Sequence, residues 1–209
     1  MTDRFDGWIS GLGTRAGRRV VVGHWPRSPL GPFTDVMTED ADGHRTLLAP
    51  SGEVAAFVAA TYTFDEVRVV PVTHTARGDR RQVVAGPLEI AWRVGGRTVL
   101  GALLRLVPAP LAVNRYWLRG IDPLARRVQP GVRTVGSAGG GRREYYGARD
   151  LHRVTAAVAR WDGADLGGLA PVAPPVRFGF GSAPGTPSHV RITTLVEDRL
   201  DGRPADSGR

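Results

Sequence analysis

Short runs of β-branched residues divided by turn chemistry dominate the chain. The first strong run is Arg19-Val20-Val21-Val22-Gly23, which leads into residues 25–32, where Pro26, Pro29 and Pro32 exclude helix. Residues 33–38 predict a strand that ends at the Glu39-Asp40-Ala41-Asp42-Gly43 turn, with residues 45–49 returning as its hairpin partner. Behind Ser51, whose hydroxyl can accept a first-turn N–H, Val54, Phe57, Val58 and Tyr62 recur at helical spacing, so residues 51–62 predict a short helix packed on a sheet. Residues 67–72 and 82–84 flank the Arg77-Gly78-Asp79-Arg80 turn, and residues 88–94 add a strand closed by Gly95-Gly96.

The pattern then changes. Residues 98–107 and 111–118 predict short helices interrupted by Pro108 and Pro110, and Asp122-Pro123 starts a third helical piece running to Val128. Strand character returns at 132–135, 143–146 and 154–158, with Trp161-Asp162-Gly163 as a turn, and again at 176–180 and 189–196. The fold class these elements imply is α+β: a mostly antiparallel β-barrel or cone-like curved sheet with a few short helices. Residues 1–198 read as one such domain and 199–209, rich in Asp, Arg, Gly and Ser, as a flexible tail.

Composition removes several chemistries. All 28 basic residues are arginine, so no side chain can form a Schiff base and no P-loop lysine exists. The absence of cysteine removes disulfides and thiolate ligands, so a metal site would need His and carboxylates. The histidines His24, His44, His74, His152 and His189 show no helical metal-binding spacing, and neither metal nor cofactor is expected. No Gly-x-Ser-x-Gly elbow is present, and Gly11 to Gly17 and Gly136 to Gly141 lack the strand or lysine context of nucleotide-binding loops. No apolar run reaches the roughly 18 residues of a transmembrane segment. The polar, acidic start of the chain lacks a secretory signal, which makes the cytoplasm the expected compartment.

The net charge of +8 is concentrated in residues 93–133, where eight arginines face Asp122 alone. Such a segment suits an anionic surface, whether membrane, nucleic acid or acidic partner. Nucleic acid is the weaker of these, because only Tyr116 and Trp117 interleave with the arginines and no recognition motif accompanies them.

The densest polar chemistry is Arg142-Arg143-Glu144-Tyr145-Tyr146-Gly147-Ala148-Arg149-Asp150-Leu151-His152-Arg153. In a strand, Arg143, Tyr145 and Gly147 share one face while Glu144, Tyr146 and Ala148 share the other. Arg143 and Arg149 can pair with Glu144 or Asp150 as rim ion pairs, or fork onto a ligand carboxylate while Tyr146 or His152 handles a proton.

Arg143-Glu144 with Gly147 resembles a motif of the acetoacetate decarboxylase-like superfamily, in which an Arg-Glu pair is followed by Gly and then by Pro and the imine-forming Lys. Here Arg149-Asp150 stands at the Pro-Lys position. Gly31-Pro32-Phe33-Thr34-Asp35 is similar to the family's Gly-x-Tyr-x-Glu segment, with Asp35 for the pocket Glu. The resemblance implies a cone-like barrel with an interior cavity, Arg143 and Glu144 near its base and Asp35 across from them, and it excludes the family's Schiff-base decarboxylation.

The expected function is therefore binding of a small, anionic organic molecule in a barrel cavity, with non-covalent lyase, hydratase or isomerase chemistry left open beside binding alone. Glu144, Asp35, Tyr146 and His152 are the proton-handling candidates, and Arg143, Arg149, Asp150 and Phe33 the ligand-binding ones. The alternative is a noncatalytic protein that uses segment 93–133 to dock on an anionic partner. The sequence leaves a homo-oligomer open.

Overall fold

The computed structural model describes residues 2–128, 134–137, 142–179 and 183–197. In chain order these form β1 (Thr2–Thr14), β2 (Arg19–Arg27), β3 (Phe33–Glu39), β4 (Arg45–Ala49), α1 (Gly52–Ala59), β5 (Glu66–Val69), β6 (Val72–Arg77), β7 (Arg80–Ala85) and β8 (Leu88–Arg97). They continue as α2 (Val99–Leu106), α3 (Ala109–Ala112), α4 (Arg115–Val128), β9 (Val135–Ser137), β10 (Arg143–Trp161), β11 (Ala164–Ala170) and β12 (Ser188–Glu197). The strands run in the order β5-β4-β3-β2-β1-β11-β10-β8-β7-β6, and β12 bridges β1 and β10. The sheet wraps into a barrel, mostly antiparallel, with short helices, as the α+β expectation requires.

Strands β1 to β4 bury both faces, and this decides where ligands can go. Leu12, Val20, Val22, Val36 and Leu48 point into the barrel against Val83, Leu88, Ile90 and Trp92 of β7 and β8 and Val154, Ala157 and Ala159 of β10. The alternate residues, Ile9, Val21, Met37 and Leu47, point the other way and pack with α1 through Val54, Ala55 and Val58 and with Phe178 and Ala183. Each fully buried aliphatic side chain contributes about 1.5–3 kcal/mol, so two cores divided by one sheet make its alternation hard to slip. Ser51 caps α1, accepting from the N–H of Val54 at 3.3 Å.

Several expectations are corrected. The longest missed element is β1, whose glycines give no β-branched signal. A Cβ at Gly7 would lie 2.0 Å from the carbonyl oxygen of His24, and one at Gly13 2.0 Å from that of Pro171, so close backbone approach selects glycine here. Residues 67–72, expected as one hairpin strand, split at Pro71, which has no N–H to donate. The piece before it becomes β5, parallel to β4 across α1, and the piece after it becomes β6.

Gly95 and Gly96 continue β8 to Arg97, and Thr98 instead caps α2, accepting from the N–H of Gly101 at 2.9 Å. The helix expected over 111–118 breaks at Asn114, whose side-chain oxygen accepts from the N–H groups of Tyr116 and Trp117 at 2.9 and 3.2 Å; α4 then runs through Pro123 without restarting. Residues 143–146 and 154–158 belong to one 19-residue strand, β10. β11 was not foreseen, and residues 176–179 form no strand. The tail at 199–209, Phe180, and residues 132 and 133 of an expected strand lie outside the described residues. No helix among the described residues is long and apolar enough to cross a membrane.

Candidate functional site

On the α1 side of the sheet lies a cavity of about 50 Å³. Its walls are apolar, formed by Phe5 and Ile9 of β1, Val21 of β2, Phe33 and Met37 of β3, and Phe57 and Val58 of α1. Four acidic or phenolic groups converge on it: Asp35 from β3, Tyr62 from the turn after α1, and Glu144 and Tyr146 from β10.

Glu144 and Tyr146 reach the same cavity because they are two residues apart on a strand. Their row is set by pairing, with Tyr146 beside Thr194 and Thr194 beside Phe5. Tyr62 donates to Glu144 Oε2 at 3.0 Å, the Tyr146 hydroxyl lies 3.2 Å from the same oxygen, and the two phenols share a hydrogen bond with each other. On the other wall Trp25 Nε1 donates to Asp35 Oδ1 at 3.0 Å. Gly23 makes that bond spatially allowed, since a Cβ there would lie 2.6 Å from both Asp35 Oδ1 and Trp25 Nε1.

The apolar walls control the protonation of these groups. Burial pushes Asp35 up to about 7, against the Trp25 hydrogen bond, which favours the carboxylate. Burial pushes Glu144 up to about 7 as well, opposed by the hydrogen bonds from Tyr62 and Tyr146 and by the nearby charge of Arg142. Both phenols are driven well above their ordinary range, first by burial and then, for Tyr62, by the neighbouring Tyr146 and Glu144 and, for Tyr146, by Glu144. Thr194 adds a hydroxyl to the lining that has no hydrogen-bond partner among the described residues.

The structure therefore brings Asp35, Glu144, Tyr146 and Phe33 together and leaves Arg143, Arg149, Asp150 and His152 outside the cavity. Arg143 is exposed and lies on the opposite strand face from Glu144. Asp150 is held by Arg97 in a two-point contact, Nε–Oδ1 2.8 Å and Nη2–Oδ2 3.1 Å. His152 lies 3.4 Å from Asp150 Oδ2, and its Nδ1 is 3.1 Å from the carbonyl oxygen of Gly95. Arg149 is half-buried and does not line this cavity.

Sequence reasoning missed Tyr62, Trp25 and Arg142 as members or neighbours of the site. Tyr62 was assigned to the apolar stripe of α1, yet the helix ends at Ala59. Arg142, not Arg143, sits beside the acids, its guanidinium 4.9 Å from the Phe57 ring. No spacing rule connects Trp25 or Tyr62 to Glu144.

No family model matches the chain, and no curated protein matches it. Among solved structures, acetoacetate decarboxylase from Legionella pneumophila subsp. pneumophila str. Philadelphia 1 aligns with a TM-score of 0.44 and 11% identity, over 95% of this chain and 85% of that one. A second acetoacetate decarboxylase structure aligns with a TM-score of 0.42 and 9% identity, over 94% of this chain and 86% of that one. The family named from the two short motifs is thus the family of both structures. These alignments bring no residue role to this chain, and the barrel rests on the strand pairings above.

Proposed function

We propose that the cavity between β1–β3, β10 and α1 binds a small carbonyl compound and moves protons on it without covalent catalysis, as in enolisation, hydration or dehydration. The observation that carries this reading is the pair of buried carboxyls, Asp35 and Glu144, held near 7 in one apolar cavity. A group poised near the working pH can serve as acid or base, and the two are supported differently. Glu144, kept partly protonated by burial against the pull of its two phenol partners, donates a hydrogen bond to a carbonyl oxygen while Asp35 takes or returns a proton. Among the described residues no cation lines the cavity, Arg142 standing beside Glu144 but outside the lining, and this moves the reading from the anionic ligand expected from the arginines to a neutral one. With no lysine in the chain, no side chain can form an imine with that carbonyl.

The test is hydrogen–deuterium exchange at carbon next to the carbonyl of small ketones and aldehydes, followed by NMR. Exchange above the buffer rate that falls in both Asp35→Asn and Glu144→Gln supports the reading. Equal rates for wild type and both variants overturn it.

A second reading is carried by the helical face. Val99 and Leu106 are 81% and 78% exposed on α2, Tyr116 is 67% exposed on α4, and Arg105, Arg115 and Arg119 lie among them. Exposed aliphatic side chains interspersed with arginine suit an anionic membrane surface better than nucleic acid. Salt-sensitive sedimentation with anionic vesicles, lost in Leu106→Asp, would support it. Equal sedimentation with neutral vesicles would sink it.

A further inference from the structure

The barrel interior contains a second cavity, about 150 Å³, on the opposite face of β1 and β2 from the carboxyl site. Three of the five histidines meet there, His24 from β2, His74 from β6 and His189 from β12. Two ring pairs fix its walls: His24 stacks on His74 with centroids 4.0 Å apart, and Trp8 stacks on His189 at 4.5 Å and 4°. Ser10 Oγ lies 2.7 Å from His189 Nδ1, and Thr34 Oγ1 lies 2.8 Å from His24 Nδ1. Each of these imidazoles therefore keeps its second nitrogen for another partner.

Metal binding does not fit this arrangement, because no three His, Cys, Asp or Glu among the described residues are placed to hold an ion together. The other polar groups point to the opposite charge. Arg81 lines the cavity, held by backbone carbonyls of Gly78 and Arg80 at 2.7 and 2.9 Å, and no carboxylate among the described residues pairs with it. Trp92, 4% exposed, presents an indole N–H with no hydrogen-bond partner among the described residues. No Asp or Glu among the described residues contributes to the lining. A buried donor without an acceptor costs about 1–3 kcal/mol, and a guanidinium without a counter-ion is the usual means of gripping an oxyanion.

We propose that this cavity is a second ligand site, separate from the Asp35–Glu144 site, and that it takes a small oxyanion of the carboxylate or phosphate type, gripped by Arg81 and the Trp92 N–H with the imidazole edges around it. The titratable and charged groups facing one another here are His24 on β2, His74 on β6, Arg81 on β7, His152 on β10 and His189 on β12. Burial and then the neighbouring cations hold His24 below its ordinary range, His74 at about 4 and His189 at about 3, so at neutral pH the imidazoles are uncharged. A bound anion reverses that bias. Binding therefore takes up protons and tightens as pH falls from 7 toward 5.

The experiment is calorimetric titration of the full chain with acetate and, separately, inorganic phosphate, at two pH values and in two buffers of different ionisation enthalpy. Saturable binding with proton uptake, tighter at the lower pH, is expected for at least one anion, and the stronger of the two identifies the source. Arg81→Gln should weaken it about tenfold or more. Trp92→Phe, which keeps the ring, should weaken it several-fold, and Glu144→Gln should leave it unchanged. Binding that survives Arg81→Gln, or that neither anion shows at either pH, overturns the proposal. Far-ultraviolet circular dichroism of each variant separates loss of the site from loss of the fold, and His24→Gln supplies a second variant should Arg81→Gln not fold.

Discussion

Tyr62 and Glu144 are 82 residues apart in the chain, and the phenol of one donates to the carboxyl of the other at 3.0 Å. Tyr62→Phe keeps the ring and removes that bond, which favours the charged form of Glu144. The Glu144 titration midpoint is then expected to move upward from about 7, read from the protonated-carboxyl infrared band across a pH series. A downward or absent movement would show that the bond does not act on the acid. The stability cost should be about 1 kcal/mol, that of one hydrogen bond in a retained packing environment.

The two cavities oppose each other in their effect on stability. Asp35 and Glu144, raised from ordinary values of 3.8 and 4.5 to about 7, hold protons in the native chain that the unfolded chain has released, so their contribution falls as pH rises from about 4 to 7. His74 and His189, lowered from 6.5 to about 4 and about 3, do the reverse, and their contribution grows as pH rises toward 6.5. Asp35→Asn with Glu144→Gln should therefore give a Tm that rises more steeply with pH than wild type over this range. His74→Gln with His189→Gln should give one that falls. Each carboxyl accounts for on the order of 3 kcal/mol across the window. Parallel Tm profiles for wild type and both double variants would contradict this assignment.

Gly23→Ala tests the packing that seats Asp35. The new methyl would meet Asp35 Oδ1 and Trp25 Nε1 at 2.6 Å, so the hydrogen bond between them must lengthen or break. The expected cost is about 1–3 kcal/mol by chemical denaturation. A rise in the Asp35 midpoint above about 7 should accompany it, because the bond lost is one that favours the carboxylate. In an Asp35→Ala background the same change should cost clearly less; additive costs would remove the contact from the explanation.

Glu39 is fully buried and holds two arginines, Arg19 Nη2 to Glu39 Oε1 at 2.9 Å and Arg177 Nε to the same oxygen at 2.8 Å. It also accepts from the backbone N–H of Arg177 at 2.7 Å, so it ties the loop before β12 to the end of β3. Glu39→Gln should destabilise by about 3–5 kcal/mol, since Arg19 is left charged in the interior. Arg177→Ala, at an exposed guanidinium, should cost about 1 kcal/mol or less. Equal effects in urea unfolding would refute the distinction.

The sequence alone determined the features that depend on neighbours along the chain, namely the Ser51 cap of α1, the Arg77–Arg80 turn and the runs that become β2, β3, β4 and β8, and with them the absence of any side-chain amine for imine chemistry. It also singled out Asp35 and Phe33, through the resemblance of residues 31–35 to a family motif, and Glu144 and Tyr146, which an alternating strand keeps on a common face. Which face becomes a cavity was decided only by tertiary structure. Alternation says that Arg143 and Glu144 diverge but not which of them is covered, and the packing of α1 over β1–β3 settles it for Glu144. Tyr62 meets Glu144, and the histidines meet one another, through contacts between segments far apart in the chain, while Trp25 meets Asp35 through the β2–β3 pairing, and bulges such as that between Ala148 and Asp150 change which residues face which side. Glycine-rich β1 stayed hidden for a related reason: a residue without a side chain leaves no hydrophobic pattern to read, and the close contacts that require it exist only once the barrel has formed.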